Sequence, residues 1–157
     1  MKVKLLQIGK TQQGYLVQGI EFYEQRIKNY LPFTIETIPA LKQAASLSAD
    51  QLKLKEGELI LSKLKSDDRL ILLDERGKSF HSVGFADYIQ GQMNQGQKQL
   101  VFLIGGAYGF SEAVYRKASY QISLSDMTFS HQLIRLVFLE QLYRAMTILN
   151  NHPYHHE

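Results

Sequence analysis

The chain contains no cysteine, which excludes disulfides, zinc–thiolate centres and thiol catalysis. It has only 3 prolines and 11 glycines in 157 residues, too few for a linker-rich or low-complexity protein. No apolar run is long enough to cross a bilayer, and the opening "MKVKLLQIGK" has too short an apolar stretch for a signal peptide. Excess charge of one sign is also nearly absent. The formal charge is +3 and the isoelectric point is near 9.0, which leans toward an anionic partner without requiring one. These exclusions leave one soluble domain spanning residues 1–157, expected in the cytoplasm and away from membranes.

What is present is an alternation of short apolar runs with helical patterns. Residues 3–9, 33–39, 69–74, 99–106 and 120–125 read as strands, and several are continuously apolar, as parallel strands covered on both faces should be. Helical patterns occupy 14–31, 48–65, 82–96, 111–118 and 131–150, and Ser48 with Gln51 fits a capping box at the second of them. The last segment, "HQLIRLVFLEQLYRAMTILN", is apolar on almost every side. A helix of that kind must be buried on almost every side, which in a small domain suggests a second subunit, with Phe138 and Leu142 at the contact. The alternation predicts an α/β fold: an open, mostly parallel sheet with helices on both faces.

Gly77-Lys78-Ser79, inside "LDERGKSF", resembles the end of a triphosphate-binding loop. The glycine that such a loop needs five positions earlier is replaced by Leu72, so an NTPase reading fails. A better site lies where three strands end: at Leu73-Asp74-Glu75-Arg76-Gly77, at "IGGAYGF" (104–110) and at "LSDMTFSH" (124–131). In open parallel sheets, ligands bind beyond the carboxyl ends of the strands. The glycines do not fit a dinucleotide fingerprint. Singly, each loop reads as an ordinary turn, and Thr128 or Ser130 as the cap of the last helix. Together they suit a compact pocket for a flat, mostly neutral base such as adenine.

The segments "LLQIGK", "LKEGE", "LDERGK", "FLIGGAYG", "LSDMTFSHQLIRLVFLEQLYRA" and "NHPYHHE" run from end to end of the chain. Through them the sequence closely resembles the ribosomal RNA large subunit methyltransferase H family, small members of the knotted SPOUT methyltransferases. The resemblance implies a homodimer, a C-terminal trefoil knot, and an S-adenosylmethionine pocket. It also implies methylation of N3 of a pseudouridine in 23S rRNA, on the assembled ribosome. The family's cofactor positions fall on Leu73, Gly105, Leu124, Ser125, Asp126, Met127, Thr128 and Phe129. The sequence departs from the family in having Ser130 where proline is common, expected to loosen the loop. His156 stands where Lys or Arg is common, which removes a fixed positive charge.

Arg144, Tyr154 and His155 are the catalytic candidates that the resemblance implies, with Glu140 placed to orient Arg144 from one turn earlier. The ordinary reading of Glu140 and Arg144 is a surface pair at i,i+4. The ordinary reading of the tail is a frayed end. His152, His155 and His156 on such a tail would have no fixed coordination geometry, so no metal is expected. Tyr15, Phe22 and Tyr30 read as a core stripe of the first helix, and His131 and Arg135 share a face of the last. A second functional reading has the same fold serving as a non-catalytic, dimeric RNA- or ribosome-binding module.

Overall fold

The computed structural model describes residues 1–156. Its strands β1 (Lys2–Ile8), β2 (Phe33–Ile38), β3 (Asp68–Ser79), β4 (Gln99–Ile104) and β5 (Tyr120–Ser123) form one sheet. The order is β2-β1-β4-β3-β5, and every neighbouring pair is parallel. The connecting helices are α1 (Gly14–Ile27), α2 (Ala49–Ser62), α3 (Ser82–Asn94), α4 (Glu112–Lys117) and α5 (Leu133–Leu149). No described helix is long and apolar enough to cross a membrane.

The continuous apolar runs arise because both faces of the sheet are covered. Leu5, Ile71 and Phe102 face one core with α1, α3 and α5, whereas Leu6, Leu72 and Leu103 face another with α2 and α4. The capping box forms as expected: Ser48 Oγ accepts from the Gln51 N–H at 3.2 Å, and the Ser48 N–H donates to Gln51 Oε1 at 3.0 Å.

Two expectations are corrected by packing. Phe138 and Leu142 are 0% exposed within the single chain, wedged in the core between α5 and the sheet, so they are not interface residues. The face of α5 left partly uncovered instead carries Ile134, Val137, Gln141 and Arg144. Tyr15 and Phe22 are exposed rather than core, at 68% and 48%, and Arg26 lays its guanidinium over the Phe22 ring at 3.9 Å.

The "GKS" stretch is not a turn leaving a strand. β3 pairs with β5 through Leu73, bulges outward, and resumes pairing at Lys78 and Ser79. The bulge brings Gly77 against the β5 backbone, where a Cβ would lie 2.5 Å from the Ile122 nitrogen. Only glycine permits that approach, because a backbone atom cannot swing aside.

Candidate active site

The bulge of β3, the loop after β4 and the loop after β5 meet around a cleft of ≈ 480 Å³ at the carboxyl end of the sheet. Leu73, Gly105, Leu124, Ser125, Met127, Thr128 and Phe129 line it; Asp126 is exposed and is not part of its wall. Each loop is held locally. Ser123 Oγ donates to the Ser125 carbonyl at 3.0 Å, and Ser125 Oγ accepts from the Met127 N–H at 2.9 Å. Ser130 Oγ accepts from the Leu133 N–H at 3.2 Å, so this serine ties the loop to the start of α5 rather than loosening it.

The glycine loop is built by close approach. Phe110 folds back over Gly105, where a Cβ would come within 2.7 Å of the ring. Gly106 and Gly109 bridge each other, and Gly109 has φ +80, a conformation that favours glycine. Behind Gly106 lies the buried Glu56 of α2, whose carboxylate would be 2.9 Å from a Cβ added there. Burial raises the Glu56 pKa above the ordinary carboxylate value.

Sequence reading placed Asp74 in a loop of this site without giving it a role, and missed Tyr115, which also lines the cleft. Asp74 accepts from the Arg76 N–H at 2.8 Å and from the Tyr115 hydroxyl at 2.5 Å. Burial, reinforced by the bond to Asp74, pushes the Tyr115 phenol up to about 12, so it stays a donor. Tyr115 sits on a short helix with no spacing signal to mark it; Asp74 was legible as the acidic end of an apolar strand. The cleft therefore joins apolar walls (Leu73, Ile104, Leu124, Ile134) to carboxylates at Asp74 and Glu75. That combination suits a flat ring carrying hydroxyl or cationic substituents.

Glu140, Arg144, Tyr154 and His155 form a separate side-chain cluster, and none of them lines the cleft. Arg144 donates to Glu140 Oε1 from Nε at 3.0 Å and from Nη2 at 2.6 Å. The Tyr154 hydroxyl donates to the same oxygen at 3.2 Å, and its ring lies 4.8 Å from the guanidinium carbon. Arg144 Nη1 faces His155 Nδ1 at 3.4 Å, and since arginine can only donate, Nδ1 accepts. Burial first, then the contact with Tyr23, holds the Tyr154 phenol far above its usual range. From Ile134 at the cleft to Arg144 is ten residues of helix, about 15 Å of rise.

The tail is not frayed. Asn151 takes φ 55 just past α5, with its N–H bonded to the Ile148 carbonyl at 3.1 Å and the His152 N–H bonded to Thr147 at 2.9 Å. This Schellman-type reversal folds the tail back along the helix. Tyr30 meets His152 Nδ1 at 2.7 Å, and the Tyr143 and Tyr154 rings meet edge to face at 4.8 Å. Asn followed closely by Pro153 was the available signal, since both are favoured just beyond a helix. Arg135 takes no part. It is fully buried and donates to the Ile8 and Gly9 carbonyls and to Thr11 Oγ1, fastening α5 to the end of β1. His131, expected to share a helix face with Arg135, instead lies in the turn before α5 and lines the cleft.

A solved probable methylase family protein from Haemophilus influenzae shares the fold, with a TM-score of 0.55 and 12% identity over 99% of this chain and 70% of its own. A Parabacteroides distasonis protein named ribosomal RNA large subunit methyltransferase H is 58% identical over the whole of both chains. A Flavobacterium johnsoniae protein of the same name is 57% identical, again over the whole of both. The family model described as "Predicted SPOUT methyltransferase" matches residues 1–155. The chain belongs to the SPOUT methyltransferase family.

Proposed function

We propose that this protein is an S-adenosylmethionine-dependent methyltransferase of large-subunit ribosomal RNA. Its finer reading is a homodimer that methylates N3 of a pseudouridine in 23S rRNA on the assembled ribosome, with a trefoil knot formed by the C-terminal loops. The observation that carries this reading is the end-to-end likeness to relatives named for that activity, at 58% and 57% identity. The cleft suits the cofactor: Leu73, Ile104 and Leu124 provide apolar walls for adenine, and Asp74 and Glu75 provide carboxylates for ribose hydroxyls and positive charge.

When bound, S-adenosylmethionine supplies an electrophilic methyl group, so the chain's own task is alignment and charge control. A uracil-type N3 must lose its proton before or during attack, leaving negative charge on the ring oxygens. Arg144 is the fixed cation for that charge, through the Nη1 edge that Glu140 does not occupy. A preorganised donor of this kind is worth about 10²–10³-fold in rate. Tyr154 and His155 line the same cluster as hydrogen-bonding partners for the base. Glu140 orients Arg144: Oε1 takes three donors and Oε2 takes the Gln141 amide at 2.6 Å.

Because the cluster stands a helix-length from the cleft of its own chain, the reading places a second copy across the uncovered α5 face. That copy's cluster then closes the cleft. The test is label transfer from S-adenosylmethionine. The purified protein should methylate ribosomes lacking the modification and not naked rRNA. Binding of ATP or NAD in the cleft, with no S-adenosylmethionine binding, would overturn the reading.

A further inference from the structure

Tyr23 of α1 belongs to neither the cleft nor the predicted catalytic set, yet its hydroxyl lies 3.3 Å from that of Tyr154. Either phenol can donate in this contact. The Tyr154 hydroxyl also meets Glu140 Oε1 at 3.2 Å. Tyr23, Tyr154 and Glu140 therefore form one bonded chain, which at Glu140 meets the two donors of Arg144.

The ring contacts give this chain a mechanical consequence. Tyr154 packs edge to face on Tyr143, and Tyr143 lies 5.8 Å from Tyr23. The Tyr154 ring in turn covers the Arg144 guanidinium. Glu140 holds the Nε–Nη2 edge of that guanidinium and the Tyr154 ring covers its face, so the aim of Nη1 depends on where Tyr154 stands. Tyr154 lies on the tail, after the reversal at Asn151. With the contact between Tyr30 and His152, the bond to Tyr23 references the tail to α1 as well as to α5, and it is the one that acts on the Tyr154 hydroxyl itself.

We propose that Tyr23 is a positioning residue for methyl transfer: its hydroxyl orients the Tyr154 phenol and, through it, the Nη1 edge of Arg144. The inference rests on the reading above that Tyr154 and Arg144 act on the target base. It concerns a group that does not touch substrate, and a merely structural role would leave a different signature.

The experiment is steady-state methyl transfer to ribosomes by wild type, Tyr23→Phe, Tyr154→Phe and the double variant, with S-adenosylmethionine affinity measured by calorimetry. Phenylalanine keeps the ring packing and removes only the hydroxyl. Tyr23→Phe should lower kcat about tenfold, the value of one hydrogen bond expressed in rate, with KM for ribosomes and cofactor affinity unchanged. The double variant should be no slower than Tyr154→Phe alone, because both changes break the same chain. Wild-type kcat in Tyr23→Phe, or a lowered melting temperature with unchanged kcat, would overturn the proposal while leaving the functional reading in place. Independent, multiplying losses would also overturn it. Full activity in Tyr154→Phe would remove both the proposal and the assignment of the tail to the active site.

Discussion

The cleft at the sheet end and the cluster at the tail are built on opposite principles. The cleft is made by close approach: a single added Cβ at Gly77, Gly105 or Gly106 would collide with a neighbour. The cluster is made by side chains: a carboxylate, a guanidinium, phenols and an imidazole satisfy one another in a bonded chain. One region should therefore fail by steric intrusion and the other by deletion of single polar atoms. Under the proposed function their roles divide in the same way, the first binding a ligand of fixed shape and the second meeting charge that develops during reaction.

The sharpest blow to the cleft is Gly77→Ala. Its Cβ would sit 2.5–2.6 Å from three backbone atoms of β5, none of which can rotate away. We expect a loss of about 3 kcal/mol of stability, measured by denaturant unfolding. Removing residues 152–157 strikes the other region. It should leave the S-adenosylmethionine affinity within error and reduce methyl transfer by roughly 10²-fold or more, the worth of the oriented donors it carries or supports. Undiminished transfer by the truncated protein would show the pinned tail to be structural only.

Gly105→Val should show the reverse pattern. The intruding side chain meets the Phe110 ring rather than backbone, so the fold survives while the loop is displaced. Calorimetry should find S-adenosylmethionine bound at least about tenfold more weakly, with a native circular dichroism spectrum. Retained affinity would take Gly105 out of the site.

The smallest effect concerns Glu56, buried behind the glycine loop with its pKa raised by burial. A carboxyl whose folded-state pKa lies above the unfolded value contributes stability that is complete below the ordinary carboxylate pKa. That contribution is lost as pH rises through the folded-state value. Glu56→Gln does not titrate, so its melting temperature should gain on wild type by a few degrees between about pH 4 and pH 8. A gap that is flat across that range would show that Glu56 is not desolvated in solution.

Much of the cleft was legible because its signals are local. Apolar runs ending in Leu73, Ile104 and Leu124 mark parallel strands covered on both faces, and Gly105-Gly106 just after one of them marks a close turn. The return of Lys78 and Ser79 to β5 was not legible, since Asp74-Glu75-Arg76-Gly77 reads as the end of a strand and the pairing partner is more than forty residues away. The last helix misled for a related reason. Its apolar girth was read as an interface, but α1 and α3 flank it and Phe138 and Leu142 turn into the chain's own core. The tail cluster was reached through resemblance, not pattern. Hydrogen bonds between residues as distant as Tyr23 and Tyr154 leave no periodicity to find.

The central claim, that the cleft of one subunit works with the cluster of its partner, has a direct test by subunit complementation. Gly105→Val and Arg144→Ala variants are mixed, unfolded, refolded together and assayed for methyl transfer to ribosomes, at S-adenosylmethionine too dilute to fill the Gly105→Val cleft. In a mixed dimer with shared sites, one of the two sites pairs an intact cleft with an intact Arg144. Since half of randomly paired dimers are mixed, about a quarter of wild-type activity should return. If each site instead lay within one chain, every site would carry a lesion, and no activity would return.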